Sequence, residues 1–473
     1  MKAAALLLGP AGVGLIGVFS NLVGVAISFG GMGLANSGTR QIAEAVGRDD
    51  KQSIAASRTA LLVCSLFLAL FCGGLFWLLR GVVAEYVLND LARAQQVGWL
   101  ALAVGLHILA GFQSGALNGL RRIGDLSRLS VYSAFFSSII GIGALWFWGS
   151  AGIVAYVVSV PLVTVMVGQW YVGKLPKLQL AAVNRAAVAE QGRAMLKLGA
   201  AFMLVSSIGY SGQLLVRSLI QAELGLDSLG YFQAASAISM TYIGFLVTAM
   251  GQDYYPRLTA VIADKQASSR MVNEQIEVSL LLAGPIFLAM MALAPWVITL
   301  LYSTEFRPAA EVLHWQIIGD VLKVAGWPLA YVLVAAGDGK TFVINEILYL
   351  GVFGLLTWLC LPIFGIAGSG VSFLGMNAVG LCLLLWQTKR RIRFAFQPAI
   401  IKQLGFLLLA SVGLLLLASY SLLVTACVGI FLSTVFALYG FTRLAHKSEL
   451  TGIFGKLAAW AQVWMKKFGV WHD

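Results

Sequence analysis

Charge is scarce in this chain: only 11% of its 473 residues are Asp, Glu, Lys or Arg, where a soluble domain carries about a quarter. Hydrophobic residues make up 59% and the mean hydropathy is +0.87, which excludes a soluble enzyme and a disordered chain. Cysteine is also scarce. The five present, Cys64, Cys72, Cys360, Cys382 and Cys427, all sit inside apolar runs without metal-ligand spacing, so a disulfide scaffold is excluded and they read as small packing residues. No polar, small-residue cleavage region separates "MKAAALLLGPAGVGL" from the first long apolar run, so no secretory signal is visible. Acidic residues number 20 against 32 basic ones, net +12; in a multi-pass membrane protein this is the usual result of basic cytoplasmic loops, and nucleic acid is not indicated as a partner.

What is abundant is the uncharged apolar run of about twenty residues, the length of a bilayer-spanning helix. Thirteen are found, at 12–35, 60–79, 97–117, 129–148, 152–172, 198–215, 231–250, 278–301, 312–336, 342–361, 366–386, 404–420 and 422–441. The expected fold class is therefore an all-α polytopic membrane protein. Assigning the connecting segments alternately to the two membrane faces puts 26 Lys and Arg residues on one side and 4 on the other. The rich side, which includes the C-terminus, is expected to be cytoplasmic. On the other side, the longest connections, 80–96 and 217–230, are too short for an external catalytic domain, which disfavours a membrane-embedded glycan polymerase or ligase.

An internal repeat runs at an offset of 216. Gly9 and Gly14 answer Gly225 and Gly230, Gly149 and Gly152 answer Gly365 and Gly368, and Arg40 answers Arg257 at 217. One unit then holds six helices, so the two units share one topology about an axis along the membrane normal. The run 198–215 finds its counterpart before residue 1, and only "KAAALLL" remains of the first helix. An odd span number also places Met1 outside; a truncation or a misassigned start would account for both. The expected organisation is an N-terminal lobe at 1–194 with five full spans and that remnant, and a C-terminal lobe at 195–390. An extra helix pair at 391–443 and a basic, aromatic cytoplasmic tail at 444–473 follow. The tail interleaves Lys456, Lys466 and Lys467 with Trp460, Trp464 and Trp471, suited to lying on an anionic leaflet.

Ionisable residues inside spans are costly and mark candidate sites. "WQIIGDVLKV" carries Asp320 and Lys323 three residues apart on one helix face, either as a self-neutralising pair or as the lining of a polar cavity. Lys323 minus 216 is His107, also mid-span, and Arg217 falls within one residue of Lys2 under the same shift. Each lobe thus offers two cations at equivalent depth, expected to face a central cleft and to suit a polyanion such as a diphosphate rather than an organic cation. Taken singly, His107 also reads as a hydrogen-bonded interior histidine and Arg217 as a snorkelling residue. Glu346, Gln113, Asn118 and Tyr210 are further polar candidates, read first as contacts between helices. "GDGKT" (337–341) mimics a phosphate-binding loop, but Val334 stands where the pattern needs glycine; it is expected to be a tight turn.

"LLLGPAGVGLIGVFSNL", "SGTRQIAEAV", "GLRRIGDLS" and above all "FRPAAEVLHWQIIGDVLKVAGWPLAYVLVA" resemble the Wzx-type O-antigen and enterobacterial common antigen translocases of the multidrug/oligosaccharidyl-lipid/polysaccharide exporter superfamily. The resemblance covers about residues 1–390. It implies two lobes that alternate around a cationic cavity and flip undecaprenyl-pyrophosphate-linked oligosaccharide to the periplasmic leaflet of the bacterial inner membrane. No cofactor, metal or catalytic residue is implied. The partners implied are the lipid-linked glycan, membrane lipids, and the polysaccharide polymerase and chain-length machinery. The resemblance places Lys2, Arg217 and Lys323 where such proteins hold basic residues, with Asp320 beside Lys323. Asp320 and Glu346 are the candidates for ion coupling. The last two spans resemble the extra pair of the lipid II flippases. A cation or drug exporter of the same superfamily is the main alternative, but it should carry acidic residues in place of His107, Arg217 and Lys323.

Overall fold

The computed structural model describes residues 1–175 and 185–448. Among these the secondary structure is helical throughout: α1 Lys2–Gly30, α2 Leu34–Gly47, α3 Lys51–Leu78, α4 Arg80–Leu88, α5 Ala94–Gly119, α6 Ile123–Trp148, α7 Ile153–Val172, α8 Arg185–Val261, α9 Lys265–Leu301, α10 Ala309–Ala335, α11 Gly339–Phe364, α12 Ala367–Ile392, α13 Pro398–Ala418 and α14 Leu422–Ser448. An unpaired peptide group is expensive in hydrocarbon, so apolar runs of this length close their hydrogen bonds internally as helices.

Among the described residues, ten helical stretches are long and apolar enough to cross a membrane, and the bent α8 supplies an eleventh. One of the ten, Ile123–Val172, holds both α6 and α7, separated by a turn at Gly149–Gly152. Each of the thirteen expected runs falls on helix, two of them, 198–215 and 231–250, on α8, which counts as one candidate span; one boundary is corrected. The first was placed at 12–35, but α1 ends at Gly30 and α2 begins at Leu34, because Met32 (φ 44°) and Gly33 (φ 58°) turn the backbone left-handed between them.

The repeat is written into the backbone. Gly9 (φ 63°, ψ −169°) breaks α1 and Gly225 (φ 79°, ψ −179°) breaks α8, 216 residues later. Gly149 (φ 54°, ψ −131°) ends α6 and Gly365 (φ 56°, ψ −139°) ends α11 at the same offset. Left-handed backbone strains any residue with a Cβ, which is why glycine stands at all four. The helix starts correspond closely, at an offset of 214: Asp50 accepts from the Gln52 and Ser53 amides to cap α3, and Asp264 accepts from those of Gln266 and Ala267 to cap α9.

The chain forms two compact units, Met1–Gly230 and Tyr231–Asp473. In the first, α5 is central, against α2, α3 and α7. Gln113 donates to the Val165 carbonyl at 3.0 Å and Thr39 to that of Gly115 at 3.2 Å. The segment of α8 before Gly230 runs along α1. A Cβ on Gly14 would stand 2.5 Å from the Leu226 carbonyl, one on Gly24 2.5 Å from the Tyr210 ring, and one on Gly33 2.5 Å from the Gly199 carbonyl. Packing thus divides the chain at 230/231, not at the 194/195 expected from the repeat.

In the second unit α10 is central, between α9 and α12, and α14 lies along α9. Ser433 donates to the Pro285 carbonyl at 2.7 Å, a Cβ on Gly284 would meet the Phe436 ring at 2.3 Å, and Arg443 meets Glu277 at 3.0 Å. "GDGKT" forms a turn: Gly337 is left-handed (φ 73°), and Asp338 caps α11 through the Thr341 amide and joins Arg391. The tail residues Lys456 to Trp471 lie outside the described residues.

Candidate functional site

In the second unit the polar residues of α10 meet those of α8 in successive rungs. Gln316 and Asp320, four apart, share one face of α10; Ser236 and Ser239, three apart, share one face of α8. Gln316 Nε2 donates to Ser236 Oγ at 3.0 Å, Ser239 Oγ and Tyr242 Oη donate to Asp320 Oδ2 at 2.6 and 2.7 Å, and Tyr254 Oη donates to the Pro328 carbonyl at 3.0 Å. Asp320 is fully buried, and its Oδ1 has no hydrogen-bond partner among the described residues. A buried acceptor held by two hydroxyls from a neighbouring helix is costly to leave unmatched, so these rungs set the register of α8 against α10.

Lys323, one turn further on, is half-buried, with its ammonium 5.6 Å from the centre of the Phe373 ring. Among the described residues no ion pair joins it to Asp320, although it lies within electrostatic range of both Asp320 and Glu346. The two i, i+3 neighbours point to different helices, Asp320 to α8 and Lys323 to α12. Glu346 is half-buried on α11, next to Asn345, which exchanges two 2.9 Å hydrogen bonds with Gln387 of α12. The second unit therefore gathers Asp320, Lys323 and Glu346 in one electrostatic neighbourhood.

In the first unit His107 is half-buried on α5 and lines a cavity of about 180 Å³ with Ser28, Ser206, Tyr210 and the backbone at Gly24, Gly31 and Gly33. Arg217 is 8% exposed and donates to Gln213 Oε1 at 3.0 Å, one turn back on α8. Lys2 is exposed at the start of α1. Neither Arg217 nor Lys2 lines the His107 cavity.

Sequence reasoning missed Ser236, Ser239, Tyr242 and Gln316. For the first three the only signal is the run of hydroxyls "SAISMTY" in an otherwise apolar span, and serines there bond as readily to their own helix; Gln316 stands one turn before Asp320 in "WQIIGDVLKV". Of the polar candidates, Gln113 does join two helices; Asn345, which joins α11 to α12, was not among them.

The family described as "Polysaccharide biosynthesis protein" matches residues 4–311, well over half the chain. The chain belongs to that family. Its relatives include the Lipid III flippase of Escherichia coli, 25% identical over 405 residues, covering 82% of this chain and 94% of that protein. The Lipid III flippase of Shigella flexneri matches with the same figures. Among solved structures, a multidrug resistance MATE family transporter of the MOP superfamily, inward-facing, superposes with a TM-score of 0.70 at 14% identity, over 85% of this chain and 96% of that one. The lipid II flippase MurJ, inward closed, gives 0.67 at 12% identity, over 91% and 99%. This member of the polysaccharide biosynthesis family thus has the polytopic helical fold of the MOP-superfamily transporters.

Proposed function

We propose that the protein flips undecaprenyl-pyrophosphate-linked oligosaccharide from the cytoplasmic to the periplasmic leaflet of the bacterial inner membrane by alternating access. The flipped units serve O-antigen or related surface polysaccharide synthesis. The observation that carries the reading is Lys323: a cation on a membrane-embedded helix, seated on an aromatic ring, that no ion pair consumes among the described residues. An ionised diphosphate and its sugars face a desolvation cost of tens of kcal/mol in hydrocarbon, and a protein-borne cation offsets part of it. Lys323, His107, Arg217 and Lys2 are the residues proposed to meet the diphosphate. The near full-length likeness to the Lipid III flippases supports the substrate class.

In this reading the Lys/Arg-rich face and the C-terminus are cytoplasmic, the protein is a transporter rather than an enzyme, and polymerase and chain-length machinery act downstream. Asp320 and Glu346 are the proposed coupling groups; an unchanged flipping rate after collapse of the proton gradient and membrane potential would exclude that role. Movement of a fluorescent undecaprenyl-pyrophosphate oligosaccharide in proteoliposomes tests the whole. Lys323→Ala is expected to slow it at least tenfold, about 1.4 kcal/mol of barrier. No movement by the parent protein refutes the function. Equal movement by parent and variant refutes the role of Lys323 alone. Transport of a quaternary ammonium dye in place of the lipid would favour the exporter alternative.

A further inference from the structure

A second cationic site lies in the second unit, away from Lys323. The N-terminal end of α9 and the linker between α12 and α13 border an open cleft of about 550 Å³, lined by Lys265, Gln266, Arg270, Asn273, Arg393 and Gln397 among others. That volume is in the range of small-ligand pockets and far exceeds the space of one water. Its floor is built. Asn273 is 3% exposed; its Nδ2 donates to the Ala395 carbonyl at 3.0 Å, and its Oδ1 accepts from the Gln397 amide at 3.0 Å. These bonds pin the linker to α9. Ile392 and Phe394, on either side of Arg393, are both buried at 2% exposure, while Arg393 itself (φ 54°) is exposed at the cavity.

The charges do not cancel internally. Arg270 meets Glu274 at 3.0 Å, and Asp264 spends its carboxylate capping α9. Among the described residues neither Lys265 nor Arg393 makes an ion pair. The remaining groups on the wall include amide and hydroxyl side chains, which donate to phosphate oxygens and can accept from neighbouring hydroxyls. The 37 residues of α9 extend about 55 Å, against about 30 Å of hydrocarbon. The cavity therefore sits where α9 leaves the bilayer, on the Lys/Arg-rich face.

We propose that this cavity binds a phosphate-bearing group through Lys265 and Arg393, supplied either by an anionic lipid of the adjacent leaflet or by a soluble phosphate. Arg and Lys make strong charge-assisted bonds to such oxygens. The site is independent of the flipping step and is read by binding alone. The full-length protein in detergent is titrated with dioleoyl phosphatidylglycerol and with dioleoyl phosphatidylcholine, and, with Lys323→Ala in parent and variants alike so that the proposed diphosphate site is weakened, with inorganic pyrophosphate, followed by native mass spectrometry.

Phosphatidylglycerol is expected to bind in preference to phosphatidylcholine, and the double variant Lys265→Gln, Arg393→Gln to bind it at least about tenfold more weakly. Lys389→Gln, which removes one charge from the same face outside the cavity, is expected to change binding less than about twofold. If the double variant loses pyrophosphate but keeps the lipid, the source is soluble; if it loses the lipid, the source is the membrane. The proposal is overturned if neither probe binds the parent, if the double variant binds like the parent, or if Lys389→Gln has the same effect. A monodisperse Lys265→Arg variant with parental binding separates lost affinity from lost folding.

Discussion

Breaking the ion pair between α9 and α14 should cost different amounts depending on which partner is removed. The Glu277 side chain is 3% exposed and that of Arg443 38%, with Nε to Oε1 at 3.0 Å. A hydrogen bond to a charged group is worth about 1.5–3 kcal/mol. In Glu277→Ala the guanidinium turns to water along its flexible stem, so the loss falls near the lower end, about 1–2 kcal/mol. In Arg443→Ala a carboxylate that stays buried loses one of its partners and cannot turn to water, so the cost is the larger of the two, toward the lower end of the about 3–5 kcal/mol of a broken buried pair. The α14 seam amplifies this: a Cβ on Gly429 would stand 2.3 Å from Ala292 Cβ, so α14 has little room to shift and expose Glu277. The assay is a double-mutant cycle on equilibrium unfolding in detergent, with a coupling energy of about 1–2 kcal/mol expected. The reasoning fails if Arg443→Ala is no worse than Glu277→Ala, or if the coupling lies below about 0.5 kcal/mol.

Asn273→Ala should leave the Ala395 carbonyl and the Gln397 amide without their partner, at about 1–3 kcal/mol each, and limited trypsinolysis should then cut after Arg393 faster than in the parent. Gly14→Leu should drive a side chain into the Leu226 carbonyl and Gly230 amide, 2.5 and 2.9 Å from its Cβ; the expected result is a lower thermal midpoint, whereas Gly47→Leu, with open space around it, should leave the midpoint unchanged. Asp338, on the turn between α10 and α11, is held below the usual 3.8, first by the Thr341 amide, then by the Thr341 hydroxyl and Arg391. A depressed folded value means that its contribution is complete above about pH 4 and is lost as pH falls through the folded value. The difference in thermal midpoint between the parent and Asp338→Asn should therefore be flat from pH 7 to 5 and shrink below pH 4.

Much of the fold was legible in the residue order because its causes are local. A run of twenty apolar residues has one way to satisfy its backbone in hydrocarbon, so the helical character of the thirteen runs could be read before any packing was known. Gly9, Gly149, Gly225 and Gly365 announced the repeat because a left-handed break admits little else, and the structure places such breaks at all four. The end of the first span was less legible, since Gly31, Met32 and Gly33 read as apolar and small while their backbone turns.

The candidate site was legible only in part. Intramembrane charge singled out Asp320 and Lys323, with Glu346 as a further polar candidate, and nothing in their spacing told where each would turn. The i, i+3 interval suggested a pair, whereas Ser239 and Tyr242 take Asp320, and Phe373 lies beneath Lys323. These partners come from helices some fifty to eighty residues away in sequence. Hydropathy and backbone chemistry, which each segment carries by itself, determined that this chain is a bundle of membrane helices repeated at 216 residues. Which helix lies against which, and therefore which buried polar group is matched and which cation stays available, was decided by side-chain interdigitation between distant segments, and no single segment encodes that.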